Sequence, residues 1–231
     1  MLDRKVRTAA LTSLTTFLTS RRPPNALTDL DALKLWAGLY YSIWMCDRPI
    51  PQQNLANDLA NLLLTSVDRT GAAPWLRAFW GTMAKQWTSI DVLRMEKFLL
   101  LVRRVFGATL RWMEKQKFEE EAVEEMFSVL KEWPLDPEGD MIKVPLGLRL
   151  HVLDLWVDEL ERAKYLEDEN DAAKGVVRRL GDAVQAQTAK FPSKQVRKRA
   201  MESYTDERLP WAKKEIEEEA DEDDTWEGIE D

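Results

Sequence analysis

Apolar residues recur every three or four positions along most of the chain, and alternation of period two is never sustained, so the pattern predicts helices throughout. The first is expected from about Asp3 to Thr19, on Val6, Ala10, Leu14, Phe17 and Leu18. It stops at Arg21-Arg22-Pro23-Pro24-Asn25, because proline lacks an amide donor and its ring clashes with the preceding turn. A second spans roughly Thr28 to Cys46. Leu30, Leu33, Trp36, Ala37, Tyr40, Tyr41 and Trp44 leave it apolar on most sides, so it is expected to be buried. After Asp47-Arg48-Pro49-Ile50-Pro51, a third runs from Gln52 to Thr65 on Leu55, Leu59, Leu62 and Leu63.

The densest apolar stretch lies between Pro74 and Met113 and should occupy the centre of the fold. Thr88-Ser89-Ile90-Asp91 divides it into two helices, since short polar side chains there can accept from free helix N–H groups. At 3.6 residues per turn, the second of these gathers Met95, Phe98, Leu99, Val102, Val105, Phe106, Leu110 and Met113 on one broad face. Arg94, Lys97, Arg104, Arg111 and Lys115 line a narrow stripe opposite. Further helices follow over Phe118–Trp133, Pro145–Lys164, Asp171–Ala189, Pro192–Ser203 and Thr205–Glu219, with a Pro/Gly/Asp loop at Pro134–Asp140.

Helices of this length joined by short turns must run antiparallel to their neighbours. Helical hairpins recur about every 40 residues, the spacing of HEAT or armadillo units. The expected fold is therefore all-α, with antiparallel hairpins stacked as a HEAT/armadillo-like α-solenoid. Residues 1–205 are read as the helical-repeat domain and 206–231 as an acidic C-terminal helix and tail.

Charge changes this picture at the C-terminus. The chain of 231 residues has a net charge of −8, yet Glu215 to Asp231 holds eleven carboxylates and neither Lys nor Arg. The remainder is mildly basic. The tail is expected to dock on a basic partner surface, using Asp223, Asp224 and the apolar anchors Trp226 and Ile229. Trp211 also lies in polar surroundings and reads as a partner-contact residue. Arg178, Arg179, Lys194, Arg197, Lys198 and Arg199, with Lys174 and Lys190 nearby, form clusters suited to RNA phosphates or to an acidic partner. The stripe from Arg94 to Lys115 has the same character.

Catalytic signals are weak. Cys46 and His151 are the only residues of their types, which excludes an intrachain disulfide and any metal centre built on Cys/His clusters. His151, Asp154, Asp158 and Glu159 share a helix face but read as an ordinary surface with a histidine near the core. Phosphate-loop, dinucleotide and nucleophile-elbow motifs are missing. A non-enzyme without cofactors is expected. The threonines and serine in the N-terminal apolar segment do not suit a signal peptide, and a soluble, non-secreted protein is expected.

Three blocks carry a resemblance: LWAGLYYSIWMCDRPIPQQNLANDLANLL at Leu35–Leu63, FWGTMAKQWTSIDVLRMEKFLLLVRRVF at Phe79–Phe106 and PLGLRLHVLDLWVDELERA at Pro145–Ala163. Together with the W-x-x-I-D-x-x-R-x-x-K pattern of Trp87, Ile90, Asp91, Arg94 and Lys97, the sequence resembles the ribosomal RNA-processing protein 1 family of eukaryotic nucleoli. The resemblance implies a helical scaffold in early nucleolar precursors of the large ribosomal subunit. It would be needed for processing in the internal spacers of pre-rRNA, with other assembly factors, pre-rRNA and ribosomal proteins as partners. A nuclear, nucleolar location follows from the same resemblance, with no membrane and no small-molecule substrate.

Overall fold

A computed structural model describes residues 4–167 and 169–212. The expectations for Asp223, Asp224, Trp226 and Ile229 therefore lie outside the described residues. Within them the chain forms α1 (Arg4–Ser20), α2 (Asp29–Trp44), α3 (Pro49–Thr65), α4 (Ala72–Gln86) and α5 (Val92–Lys115), followed by α6 (Glu120–Glu132), α7 (Leu146–Arg162), α8 (Asp171–Ala189) and α9 (Lys194–Tyr204). No strand occurs among the described residues.

Local chemistry accounts for most of the boundaries. Thr28 caps α2 by accepting from the Asp31 amide, Asp91 caps α5 by accepting from the Arg94 amide, and Asn170 caps α8 through Ala172. Each thus satisfies an amide that has no partner within the helix. The third helix begins earlier than the sequence predicts. Pro49 and Pro51, expected to form a turn, instead fill its first turn, where a missing amide hydrogen costs nothing.

Packing follows an alternate-helix rule. The main contacts of α2 are with α4, and α4 also touches α6; α3 packs on α5, α5 on α7 and α7 on α9. From α2 to α7 and again at α9 the helices stack on the one two places along, consistent with an all-α helical-repeat fold, whereas α8 packs mainly on the adjacent α9. The 24-residue α5 is the long inner member of its layer. Phe98, Val102, Val105, Phe106, Leu110 and Met113 are buried as expected, while Met95 and Leu99 are half-buried. Phe98 stacks on Tyr40 at 4.7 Å between ring centres, and Trp36 sits 4.9 Å from both Trp75 and Phe79.

The expectation that α2 is buried holds for one side only. Ala32, Trp36, Tyr40 and Ile43 face inward, whereas Leu30, Leu33 and Tyr41 are exposed. A helix in a two-layer stack has a free outer side, and its apolar composition does not change that. At the other end, Leu209 and Ala212 are buried, so the chain keeps packing beyond position 205.

Candidate interaction surfaces

The basic stripe of α5 divides once its side chains are placed. Lys97 is only 5% exposed and does not belong to an exposed edge. Its ammonium donates to the Trp44 carbonyl at 2.6 Å and the Cys46 carbonyl at 3.0 Å, closing the C-terminal end of α2, with Asp47 at 3.6 Å. Burial pushes its pKa down. Arg94 pairs with Asp91 and lies 4.8 Å from the Trp44 ring centre. Lys115 donates to the Leu64 carbonyl. The glutamates of α6 go elsewhere: Glu125 pairs with Arg69, Glu132 with Arg77, and Glu120 and Glu124 with Arg179.

Arg104 and Arg111 remain, and they meet residues from two other helices. A pocket of about 280 Å³ opens between α3, α5 and α7, lined by Asn57, Asn61, Arg104, Arg111, Glu159 and Arg162 among others. Glu159 is buried and binds the Arg103 Nε at 2.6 Å and the Arg162 guanidinium at 3.3 Å. Gly107 makes this possible, because a Cβ there would collide with the Glu159 carboxylate. Burial pushes the Arg104 pKa down, and the neighbouring Arg162, Arg103 and Arg111 add to the effect against Glu159.

The C-terminal cluster is also partly committed. Arg199 pairs with Asp154 and Glu202, Lys198 lies 3.5 Å from Glu202, and Arg197 donates to the Phe191 carbonyl at 2.5 Å. Arg178 and Lys194 are exposed, as is Lys190, and none of the three has an acidic partner among the described residues. Trp211, expected to await a partner, is already packed. It stacks on Tyr204 at 5.1 Å, donates from Nε1 to the Tyr204 carbonyl at 2.8 Å, and covers Gly181 so closely that a Cβ there would clash.

The carboxylates of α7 act as a spine for neighbouring arginines. Asp158 binds Arg103 and Arg208, and Glu161 binds Arg208, which ties residues 206–212 to this helix. His151 is half-buried with Nε2 at 2.9 Å from the Leu99 carbonyl, and a carbonyl only accepts, so Nε2 carries the proton. Burial pushes its pKa below 6.5. Between that lowered value and 6.5 the unfolded chain binds more protons than the folded one. Stability should therefore be full above about pH 6.5 and fall as the pH drops, by at most about 1.4 kcal/mol per unit from this group. Chemical denaturation from pH 7.5 to 5 would check it, with His151→Gln flattening that part of the profile.

An apolar groove of about 970 Å³ runs between α1, α2 and α3, floored by Leu11, Leu14, Leu35, Leu39 and Leu55, with Arg7, Lys34 and Arg48 also lining it. No described helix is long and apolar enough to cross a membrane.

The model of the nucleolar protein family Nop52 matches residues 1–231. The chain belongs to the Nop52 family. It is 31% identical over 162 residues to human ribosomal RNA processing protein 1 homolog A, covering 69% of this chain and 34% of that protein. The mouse homolog A is 30% identical over 173 residues, covering 73% and 34% respectively. The Drosophila melanogaster homolog is 31% identical over 139 residues, covering 58% and 19%. The chain thus spans about a third or less of the length of these relatives. The family is described as nucleolar, and the names of these relatives connect them with ribosomal RNA processing.

In this Nop52 chain the residues that carry the resemblance are structural. Trp87 and Ile90 are buried, Asp91 caps α5, and Arg94 and Lys97 grip the end of α2. Gly147 lets Trp87 approach α7, since a Cβ there would lie 2.7 Å from the indole nitrogen. The W-x-x-I-D-x-x-R-x-x-K pattern builds a corner between α2, α4 and α5. Sequence reasoning also misses Arg149, Arg103 and Arg208, whose partners lie in other elements and leave no periodic signal.

Proposed function

We propose that this chain is a non-catalytic scaffold of early nucleolar precursors of the large ribosomal subunit, required for processing in the internal spacers of pre-rRNA. It works in the nucleolus by holding a precursor geometry, with helical faces docked on other assembly factors and ribosomal proteins and basic edges on folded pre-rRNA. The rRNA-processing names of its relatives support the process. The RNA contact is supported by one observation above the others: Arg178, Lys190 and Lys194 are exposed and lack acidic partners among the described residues. In a molecule that pairs most of its arginines internally, cations left free are available to phosphates. Arg111 and Arg104 extend this basic character to α5. The acidic tail, with Asp223, Asp224, Trp226 and Ile229, is assigned to a basic protein surface.

Changing Arg178, Lys190 and Lys194 together to Glu should weaken binding to a structured RNA and leave the melting temperature unchanged. The slope of log K against log salt should shrink by about one for each phosphate that the variant no longer engages. An unaltered slope and affinity would overturn the RNA part of this reading. A second reading, a helical-repeat adaptor with little RNA contact, is favoured by the apolar groove between α1 and α3, whose lining suits a protein segment better than a nucleic acid. Crosslinking in native precursor particles separates the two, because the adaptor reading expects protein adducts alone.

A further inference from the structure

The pocket between α3, α5 and α7 contains more positive charge than its own residues neutralise. Arg104, Arg111 and Arg162 line it against a single carboxylate, Glu159, which Arg103 already engages. The Nε of Arg104 is buried without a hydrogen-bond partner, and Arg111 has only a 3.3 Å bond from Nε to the Gly107 carbonyl. Asn57 and Asn61, one turn apart on α3, add carboxamide groups at the opposite wall. Buried guanidinium N–H groups are rarely left unpaired, and an unsatisfied one calls for an explanation.

From this geometry we infer that the pocket is a binding site for a phosphate group. Guanidinium forks match phosphate oxygens in pairs, and a tetrahedral anion accepts donors arriving from several helices at once. A carboxylate is planar and has one charge, too little for three arginines around one glutamate. The cavity of about 280 Å³ exceeds what a bare phosphate fills, so the phosphate is attached to something larger, such as a ribose. Two sources share that chemistry: an RNA strand, which rests on the RNA-binding reading above, and a free nucleotide, which does not.

The test uses the full chain in isothermal titration at constant ionic strength, with inorganic phosphate, uridine 5′-monophosphate and a single-stranded oligoribonucleotide as probes. Saturable phosphate and nucleotide binding is expected in the parent. Arg104→Gln should weaken it at least about tenfold, as expected for removal of a charged two-point interaction. The unliganded melting temperature of Arg104→Gln should equal or exceed that of the parent, because the side chain makes no hydrogen bond and sits among like charges. A lowered melting temperature, absent saturation, or equal phosphate affinity in parent and variant would each overturn the site. Displacement of the oligonucleotide by phosphate identifies RNA as the source. If the site binds phosphate while the oligonucleotide binds no more tightly, the site stands with a free ligand and the RNA reading falls. If the oligonucleotide binds Arg104→Gln as well as it binds the parent, yet fails with the Arg178, Lys190 and Lys194 triple variant, RNA is overturned as the source for the pocket and the RNA reading stands on the C-terminal cations.

Discussion

Arg149→Met should lower the stability of the chain by about 3–5 kcal/mol, the range for removing one partner of a buried ion pair. Arg149 is fully buried at the start of α7 and makes four bonds to the segment that precedes it. Its guanidinium donates to the carbonyls of Val144 at 3.2 Å, Asp136 at 3.0 Å and Asp140 at 3.0 Å, and to the Asp136 carboxylate at 2.9 Å. The ring of Phe191 lies 5.1 Å beneath it. The Asp136 carboxylate in turn accepts from the Glu138 and Asp140 amides, so the loop is wound around one cation. Methionine fills a similar volume but leaves the Val144 and Asp136 carbonyls without this donor and the Asp136 carboxylate without its cation, while the Asp140 carbonyl keeps the Val144 amide. For a chain of this size each kcal/mol moves the midpoint by about 2–4 °C, so thermal unfolding should shift down by roughly 6–20 °C. Arg149→Lys should recover little, since one ammonium cannot reproduce a planar fork of donors. A midpoint within about 2 °C of the parent would sink this account of the loop.

Lys97→Met should cost about 1–3 kcal/mol, the penalty for one buried polar group left unsatisfied. The figure stays at one group because the Cys46 carbonyl also accepts from the Gln52 side chain at 2.6 Å, whereas the Trp44 carbonyl would lose its donor. The melting temperature should therefore fall by about 2–12 °C. RNA affinity per folded molecule should stay the same, because the ammonium is buried and faces protein carbonyls. Thermal unfolding paired with RNA titration at a temperature where both proteins are folded checks both halves. A drop in affinity with an unchanged midpoint would return Lys97 to the set of contact residues.

Particular residues show how far the sequence can be read. Phe98, Val102 and Phe106 recur at helical spacing because each must face the core once per turn, and the structure buries all three. Lys97 is adjacent to Phe98 and falls with the stripe opposite, since an isolated helix wheel gives a lysine no reason to turn inward. The reason is the end of α2, more than fifty residues earlier in the chain, where two carbonyls need a donor. Trp211 reads as a partner contact from its polar neighbours, and Gly181 on α8 leaves a flat seat within the chain for its ring. Leu30, Leu33 and Tyr41 are exposed against expectation, because composition alone does not reveal which side of α2 lacks a neighbour.

The approximate boundaries of α1 to α9, the break before α5 and the fold class were determined by the sequence itself, because they depend on spacing within a single turn or between consecutive elements. The family was legible for the same reason, as a pattern of local positions. The tertiary structure alone decided which cations are free. An arginine is neutralised by whichever carboxylate the fold brings within 4 Å, as Asp154 is brought to Arg199 and Glu120 to Arg179, and that distance is set by stacking between helices. The same stacking left Arg104, Arg111 and Arg162 around one pocket with too few carboxylates among them.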